Sequence, residues 1–258
     1  MNIQRSLLQT LKTTSALLAL SVSISACVNL PALGGASWKE EVLLHDGQKL
    51  IVERSQEYGG YGEPSSREPQ LREEIWKFSI PRNKQRVIWK NDYGKKPGSS
   101  NLVLITLDFL GDTPYLAASP AGCISYNIWK RPNPPYVFFR FDGGAWRQIP
   151  LAEFPSEFAG ANVAVGRPDP DHRAGTLSVA TIKEENRNLE PHLRSIVRET
   201  IPNGGDSGCG EMVGNEKGSW LGMGLFRDQP SLDACLRYCT LYEFNSPYCP
   251  CVEIFRGK

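Results

Sequence analysis

The sequence has little of what marks an enzyme or a nucleic-acid-binding protein. It contains three histidines, no complete catalytic or cofactor motif, and a formal net charge of +1 without a basic run. A near-neutral chain lacks the electrostatic footprint of a nucleic-acid binder, so we expect no such partner. No internal repeat with a fixed period is present, which argues against a propeller. Beyond the first 26 residues no second long apolar run follows, so nothing else is expected to span a membrane.

The first 26 residues have the pattern of a secretory signal. Arg5 and Lys12 supply positive charge, and an apolar stretch over 15–24 follows them. That stretch is too short to cross a bilayer as a helix. It ends in Ile24–Cys27 (ISAC), which resembles the lipobox of bacterial lipoproteins: an apolar residue and two small residues before a cysteine. The alternative is an ordinary secretory signal that is cleaved after Ala26 and leaves Cys27 free.

The lipobox resemblance implies a lipid anchor. It implies that the Cys27 sulfur carries a diacylglyceryl group, that cleavage precedes Cys27, and that the new amine is acylated. Two or more acyl chains make membrane attachment stable. Val28 rather than aspartate follows the cysteine, which by resemblance implies the outer membrane, with the domain on its periplasmic face. We expect residues 27–37 to be a lipidated tether, of which the part over 29–37 reaches at most roughly 30 Å.

The 232 residues left after the signal predict a β-rich α+β fold. The 24 glycines, 19 prolines and 25 aromatic residues favour many turns and strands over a helical bundle. Residues 38–165 predict an antiparallel β-rich region, in which Asp46-Gly47 marks a hairpin and 57–72 a polar loop. The predicted strands are 38–45, 49–54, 73–80, 85–90, 102–109, 115–118, 124–129, 136–141 and 146–149.

Residues 166–258 predict a helical, cysteine-rich region that packs with the β region as one unit. Ser178 can cap a helix with its apolar residues on one face, and Pro191 divides that helix in two. Further along the chain, the pattern predicts a strand over 220–226, a helix over 231–242 and a final strand over 249–255.

Six cysteines follow Cys27, and an even number in an oxidising compartment predicts three disulfides. They are Cys123, Cys209, Cys235, Cys239, Cys249 and Cys251. Cys235 and Cys239 share a face of the expected helix, and Cys249 and Cys251 share a face of the expected strand. Their rises match, so two parallel bridges between these elements are favoured. A metal site is the alternative for these four cysteines, although their spacing is unlike that of common zinc sites.

The C-x₃-C and C-x-C pattern resembles the cystine-stabilised αβ motif of defensins and scorpion toxins. That resemblance implies the bonds Cys235–Cys249 and Cys239–Cys251, which leaves Cys123 for Cys209. The last bond would join the strand region to the C-terminal region. Residues 220–251 also resemble, more distantly, wall-stress-component domains, and that resemblance implies carbohydrate binding.

Gly205–Gly208 (GDSG) resembles the nucleophile segment of chymotrypsin-like serine proteases. Ser207 would need a histidine base that a carboxylate orients, and donors for an oxyanion. The histidines are His45, His172 and His192, and none has the sequence context of that family's base. We interpret the segment as a glycine-rich loop that leads into a disulfide. We therefore expect no catalytic residue, no metal and no cofactor.

Other polar and aromatic clusters have ordinary structural interpretations. Asp169, Asp171 and His172 predict a solvated loop rather than a cation site. The pairs Glu40-Glu41 and Glu73-Glu74 place neighbouring carboxylates on opposite faces of strands, where we expect edge or surface charge. Most residues of one aromatic group are expected in the core, whereas two exposed tryptophans or tyrosines on one face would indicate a glycan platform. The group comprises Tyr126, Trp129, Tyr136, Phe138, Phe139, Phe141 and Trp146.

Residues Trp38–Gly47, Tyr58–Gly60, Arg131–Tyr136 and Tyr248–Cys251 resemble a family of exported proteobacterial proteins. This resemblance covers most of the mature chain, implies one coherent fold and implies no activity. We expect a non-enzymatic binding or structural protein of the cell envelope, whose partners are the membrane and an unknown envelope protein or glycan. The alternatives are a glycan-binding module, an inhibitor or immunity-type protein and, last, a serine hydrolase that uses Ser207.

Overall fold

The computed structural model describes residues 35–60, 70–92, 102–202 and 208–256. They form an α+β fold with antiparallel sheets and a disulfide-linked C-terminal region, as the sequence predicts. The strands are β1 (Gly35–Leu43), β2 (Lys49–Gly60), β3 (Gln70–Ser79), β4 (Arg86–Asp92), β5 (Leu102–Leu110), β6 (Thr113–Pro120), β7 (Val137–Phe141), β8 (Trp146–Ile149), β9 (Thr176–Leu177), β10 (Met212–Gly214) and β11 (Trp220–Gly222). The helices are α1 (Gly122–Ile128), α2 (Val179–Glu185), α3 (Pro191–Arg194), α4 (Gly224–Arg227), α5 (Leu232–Leu241) and α6 (Cys251–Phe255). None of the described helices is both long and apolar enough to cross a bilayer.

The first sheet has the strand order β4-β3-β2-β1-β9 and is antiparallel except where β1 meets β9. The β1–β2 hairpin turns at Asp46-Gly47, as predicted, because Gly47 has a φ of 85° that glycine adopts without strain. Alternate residues of each strand point inward, and the others face solvent. One face of this sheet is therefore buried, and the other is open.

The second sheet has the order β5-β6-β7-β8 and is buried on both faces. One face packs on the first sheet through the residues Leu104, Leu107, Leu116 and Phe139, which meet Val52, Trp76 and Trp89. The other face is covered by Phe154, Phe158 and Ile196 from the segment that follows β8. The two sheets thus form a sandwich with a further apolar layer on the outside of the second sheet.

The hairpin turns of both sheets lie together at one end of the sandwich, which we call the turn end. Arg82 Nε lies 3.9 Å from Asp112 Oδ1, and Gln85 Nε2 donates to the Gly143 carbonyl at 3.3 Å. His45 N, beside the β1–β2 turn, donates to Asp108 Oδ2 at 2.9 Å. These contacts join the β1–β2, β3–β4, β5–β6 and β7–β8 turns.

Residues 208–256 form a separate small core, which we call the cystine module. Its buried residues are Phe226, Cys235, Cys239, Phe244 and Cys251. The β10–β11 hairpin needs glycine at position 214, because an added Cβ there would lie 2.7 Å from the Trp220 ring. Helix α5 lies within the predicted helix over 231–242, and Ser231 caps it, since Ser231 Oγ accepts from the Ala234 N–H at 3.2 Å.

Two predicted strands are helices in the structure. Residues 124–128 of the strand predicted over 124–129 lie in α1. Their apolar alternation is typical of a strand, but Ser125 and Tyr126 are the buried positions and a disulfide holds the preceding Cys123. Residues 251–255 fall in α6, because Pro250 has helical backbone angles and its carbonyl accepts from the Glu253 and Ile254 N–H groups at 3.1 and 3.0 Å. The strand predicted over 220–226 ends at Gly222, and α4 follows it.

The pairing implied by the cystine-stabilised αβ motif is wrong. The bonds are Cys123–Cys209, Cys235–Cys251 and Cys239–Cys249. The motif's pairing assumes that positions 249 and 251 share the face of a strand, but Cys251 begins a helix, so the ladder that would align them with α5 does not exist. The two module bonds lie against each other, with Cys239 Sγ and Cys251 Sγ 3.3 Å apart.

The crossed pairing predicts a distinct fragmentation pattern. Trypsin cleaves after Arg227, Arg237 and Arg256, so unreduced digestion should leave residues 228–237 bonded to 238–256. Cys239–Cys249 is then an internal bond of the longer peptide, 238–256. Cleavage of this peptide before Pro250 should therefore release a fragment that contains Cys251 and is still bonded to residues 228–237. The other pairing would hold both fragments together through Cys239–Cys251, and tandem mass spectrometry distinguishes the two results.

Candidate functional site

One of the cavities near the sheets lies on the open face of the first sheet. This open face comprises the outward residues Lys39, Glu41, Ile51, Glu53, Lys77, Ile88 and Lys90. A groove of about 520 Å³ runs over it beside β9. Its lining includes Lys39, Glu53 and Lys77 from the open face and Gly175 and Thr176 from the adjoining segment.

Charges of both signs alternate across the open face. Lys39 Nζ lies 3.1 Å from Glu53 Oε1, Lys49 Nζ lies 3.0 Å from Glu41 Oε2, and Lys90 Nζ lies 2.6 Å from Glu73 Oε2. The hydrogen bond from Lys39 lowers the pKa of Glu53, and the one from Lys49 lowers the pKa of Glu41. A solvated face of mixed charge fits the polar surface of a macromolecule better than a small apolar ligand.

A fully buried arginine lies beneath the open face. The Arg54 guanidinium is held between the rings of Trp38 and Trp76, with Cζ 4.6 and 3.9 Å from their centroids. Its Nη1 lies 3.2 Å from Glu40 Oε2, and its Nη2 lies 2.6 Å from Glu74 Oε1. Two carboxylates and one guanidinium therefore share a buried site, together with two aromatic rings that stack on the guanidinium.

The arginine cluster also joins the sheet to the segment that follows the sandwich. Arg54 donates to the carbonyls of Ala164 and Gly166. The Asn186 side chain holds the same segment, because it donates to the Val163 carbonyl and accepts from the Val165 N–H. Burial raises the pKa of Glu40, although the nearby guanidinium opposes this. Our expectation of surface charge for Glu40 and Glu74 is therefore wrong, because β2 places Arg54 inward between them. The signal was present: Arg54 continues the inward alternation of Leu50 and Val52.

The second cavity, of about 190 Å³, is lined by His45, Phe158 and Lys183. Asp108 is buried and accepts from His45 Nδ1 at 2.8 Å and from the backbone N–H groups of His45 and Phe109 at 2.9 and 2.8 Å. The His45 ring packs against Phe158, with ring centroids 5.0 Å apart. Sequence analysis did not link this histidine to Asp108, since 63 residues separate them.

Hydrogen bonding by Asp108 raises the pKa of His45, while burial raises the pKa of Asp108 itself. We expect His45 to titrate above its ordinary value of 6.5 and to return toward it in the Asp108→Asn variant. The histidine Cε1 proton shift in an NMR titration measures both values. His172, whose pKa is raised by its hydrogen bond with Glu185, is the internal reference and should not respond to that substitution.

The described residues do not assemble a hydrolytic triad. The lining of the His45 cavity contains no serine, threonine or cysteine among the residues that the structure describes. His172 pairs instead with Glu185, next to Asp169, which accepts from the Asp171 N–H at 2.9 Å. Ser207 lies outside the described residues, as does Cys27.

Most of the aromatic group packs on the two faces of the second sheet. Trp89 lies 4.6 Å from Phe139 and 5.3 Å from Trp146, measured between ring centroids. Trp129 and Trp146 are half-buried, and the other five members of the group are buried. Among the tryptophans and tyrosines of the described ranges, Tyr242 is the one exposed ring. The exposed pair that would indicate a glycan platform is therefore not found in that part of the chain.

Three cysteine sulfurs lie close enough together to suggest a metal site. Those of Cys239, Cys249 and Cys251 are within 4.8 Å of one another. All three are bonded in disulfides, so none offers the thiolate that a zinc ion requires. Their proximity follows from two bridges that pack side by side.

Comparison of the chain with protein-family models, with curated proteins and with solved structures found no match.

Proposed function

We propose that the protein is a lipoprotein of the cell envelope, anchored by acyl chains on Cys27, and that its folded domain binds a protein partner without catalysing a reaction. The disulfide framework is the observation that carries this proposal. All six cysteines after Cys27 are bonded, which suits an oxidising compartment. The outer membrane follows from Val28, by the lipobox resemblance.

The open face is the surface that we assign to the partner. Its paired charges and groove favour a polar macromolecular surface, and Ile51 and Ile88 add two exposed apolar side chains, 46% and 50% accessible. Protein interfaces combine apolar contacts with a polar rim in this way. The burial of most of the aromatic group favours protein binding over glycan binding.

Metabolic labelling tests the anchor. Cells that grow on labelled palmitate should incorporate label into the wild-type protein and not into Cys27→Ser. The variant should also leave the membrane fraction, because it loses the buried methylenes that hold the protein there. An unlabelled wild-type protein, or a Cys27→Ser variant that stays in the membrane fraction, would refute the anchor.

Site-specific photo-crosslinking in intact cells tests the binding face. A photoreactive residue at Ile51 or Ile88 should give a discrete protein adduct. The matched control is Leu110, which is 48% exposed but lies at the turn end. Equal adducts at all three positions, or adducts at Leu110 alone, would count against the open face.

A further inference from the structure

We propose that the cystine module is a site of thiol–disulfide exchange, at which an external thiol bonds to Cys249 and the displaced sulfur of Cys239 bonds to Cys251. The substrate class is a thiol that reaches the protein from outside. This inference concerns the module by itself, and it depends neither on the lipid anchor nor on the open face.

The two disulfides of the module differ in accessibility. Cys235 and Cys251, which form one bond, are both 0% exposed, and Cys239 is 3% exposed. Cys249, the partner of Cys239, is only half-buried, and residues 245–247 just before it are exposed. A thiolate must reach a sulfur atom in order to displace its partner. We therefore expect an external thiol to attack at Cys249 and not at the three enclosed sulfurs.

Attack at Cys249 releases a sulfur that already touches the second bond. Cys239 Sγ lies 3.3 Å from Cys251 Sγ, to which it is not bonded. Reacting atoms at such a separation are close enough for attack without a large movement of the chain. The thiolate of Cys239 can therefore displace Cys235 from Cys251 as soon as it is free.

The exchange conserves atoms and electrons. The external thiol loses its proton to water, its sulfur bonds to Cys249, and Cys239 leaves with the electron pair of the broken bond. Cys239 then bonds to Cys251, and Cys235 leaves with the electron pair of the second bond and takes up a proton. Two disulfides and one thiol are present before and after the reaction, so neither an oxidant nor a reductant is consumed.

The second step makes the bond to the external thiol more durable. A displaced thiolate that stays free beside a mixed disulfide can attack it and expel the external thiol. Here the displaced sulfur of Cys239 becomes bonded to Cys251, and the free thiol is that of Cys235, which is 0% exposed. The module can therefore hold an external thiol on Cys249 while its own core stays closed by a disulfide.

The third disulfide is an internal control for accessibility. Cys123 and Cys209 are both half-buried, as Cys249 is. Among the described cysteines, no third sulfur contacts this bond. An external thiol on Cys123 or Cys209 should therefore leave the other cysteine as the free thiol, and no bond should migrate.

Peptide mapping after exposure to glutathione tests the exchange in the full protein. The protein is incubated with reduced glutathione and quenched in acid, which removes the thiolates and stops further exchange. It is then denatured, alkylated with N-ethylmaleimide at the same acidic pH and digested with trypsin. Cleavage after Arg237 separates Cys235 from the remaining cysteines of the module, so the digest shows which bond is present.

The exchange and its absence give different peptides. We expect 228–237 to be released as a separate alkylated peptide, and 238–256 to carry glutathione on Cys249 and an internal bond Cys239–Cys251. If 228–237 stays bonded to 238–256 while Cys249 carries glutathione and Cys239 is alkylated, the second step does not occur and the proposal is wrong. Glutathione on Cys251, or its absence from Cys249, overturns the first step.

The variant Cys235→Ser tests the second step without an external thiol. It leaves the thiol of Cys251 in contact with Cys239, which is bonded to Cys249. Because Cys251 can displace Cys249 from Cys239, we expect the free thiol to be shared between positions 249 and 251, and alkylation to label both. Label on Cys251 and none on Cys249 would contradict the exchange.

The matched control is Cys123→Ser, which opens the bond that no third described cysteine contacts. Alkylation of this variant should label Cys209 and no cysteine of the module. Label on the module in this control would show unspecific exchange and would count against the proposal. If Cys235→Ser does not fold, as judged by circular dichroism, the glutathione experiment on the wild-type protein decides by itself.

Discussion

The variant Arg54→Met should lower the free energy of unfolding by about 3–5 kcal/mol, as removal of one partner from a buried ion pair does. Arg54 is 2% exposed, and its loss leaves the carboxylates of Glu40 and Glu74 facing each other without a cation. Methionine restores most of the volume between Trp38 and Trp76 but neither the charge nor the donors. Burial then favours protonation of the Glu40 carboxyl, at a free-energy cost near neutral pH.

Urea denaturation followed by tryptophan fluorescence measures this loss. Arg82→Met is the matched control, since the Arg82 side chain is 77% exposed and should change stability by less than about 0.5 kcal/mol. A triple variant, Arg54→Met with Glu40→Gln and Glu74→Gln, removes the charges together and should recover much of the loss. If Arg54→Met were as stable as Arg82→Met, the cluster would have no structural role.

Removing the disulfide Cys123–Cys209 should destabilise the protein by about 4–5 kcal/mol, because the bond closes a long loop. The two residues are 86 positions apart, the greatest separation among the three bonds. Both positions are only half-buried, so alanine leaves little cavity and the loss comes from the freedom that the unfolded chain gains.

The comparison of single and double variants isolates the bond from the side chains. Cys123→Ala, Cys209→Ala and the double variant should have nearly equal free energies of unfolding, because each removes the same covalent link. Urea denaturation without reductant gives the three values. Additive effects of the two single substitutions would mean that the side chains, rather than the bond, stabilise the protein.

The features that the sequence predicted well depend on local chemistry. Asp46-Gly47 requires a tight turn, Ser178 caps a helix through its own hydroxyl, and alternating apolar residues mark β3 through β8. In each case the signal lies within a few residues of the element that it predicts. The α+β class and most of the sandwich strands followed from such signals.

The features that were missed depend on partners distant in the chain. Helices α1 and α6 are too short for periodicity to identify, and their neighbours fix them. The arginine cluster needs β2 to lie between β1 and β3, and the His45–Asp108 pair needs the two sheets to meet. The predicted disulfide pairing was wrong for the same reason. One element was assigned the wrong secondary structure, and its two cysteines therefore have each other's predicted partners. The prediction was therefore limited by the sequence separation of the interacting residues, not by the strength of their interactions.

The carbonyl groups that cover Arg54 come from residues 110 and 112 positions further along the chain. A polypeptide that emerges N-terminus first during its synthesis can pair β1, β2 and β3 long before that cover arrives. Until then the guanidinium stays hydrated, and the inner face of the newly formed sheet remains exposed. We therefore expect the contacts that cover this arginine to form late and to limit the folding rate, as contacts between distant parts of a chain do. The emerging strands would need protection from aggregation during that interval.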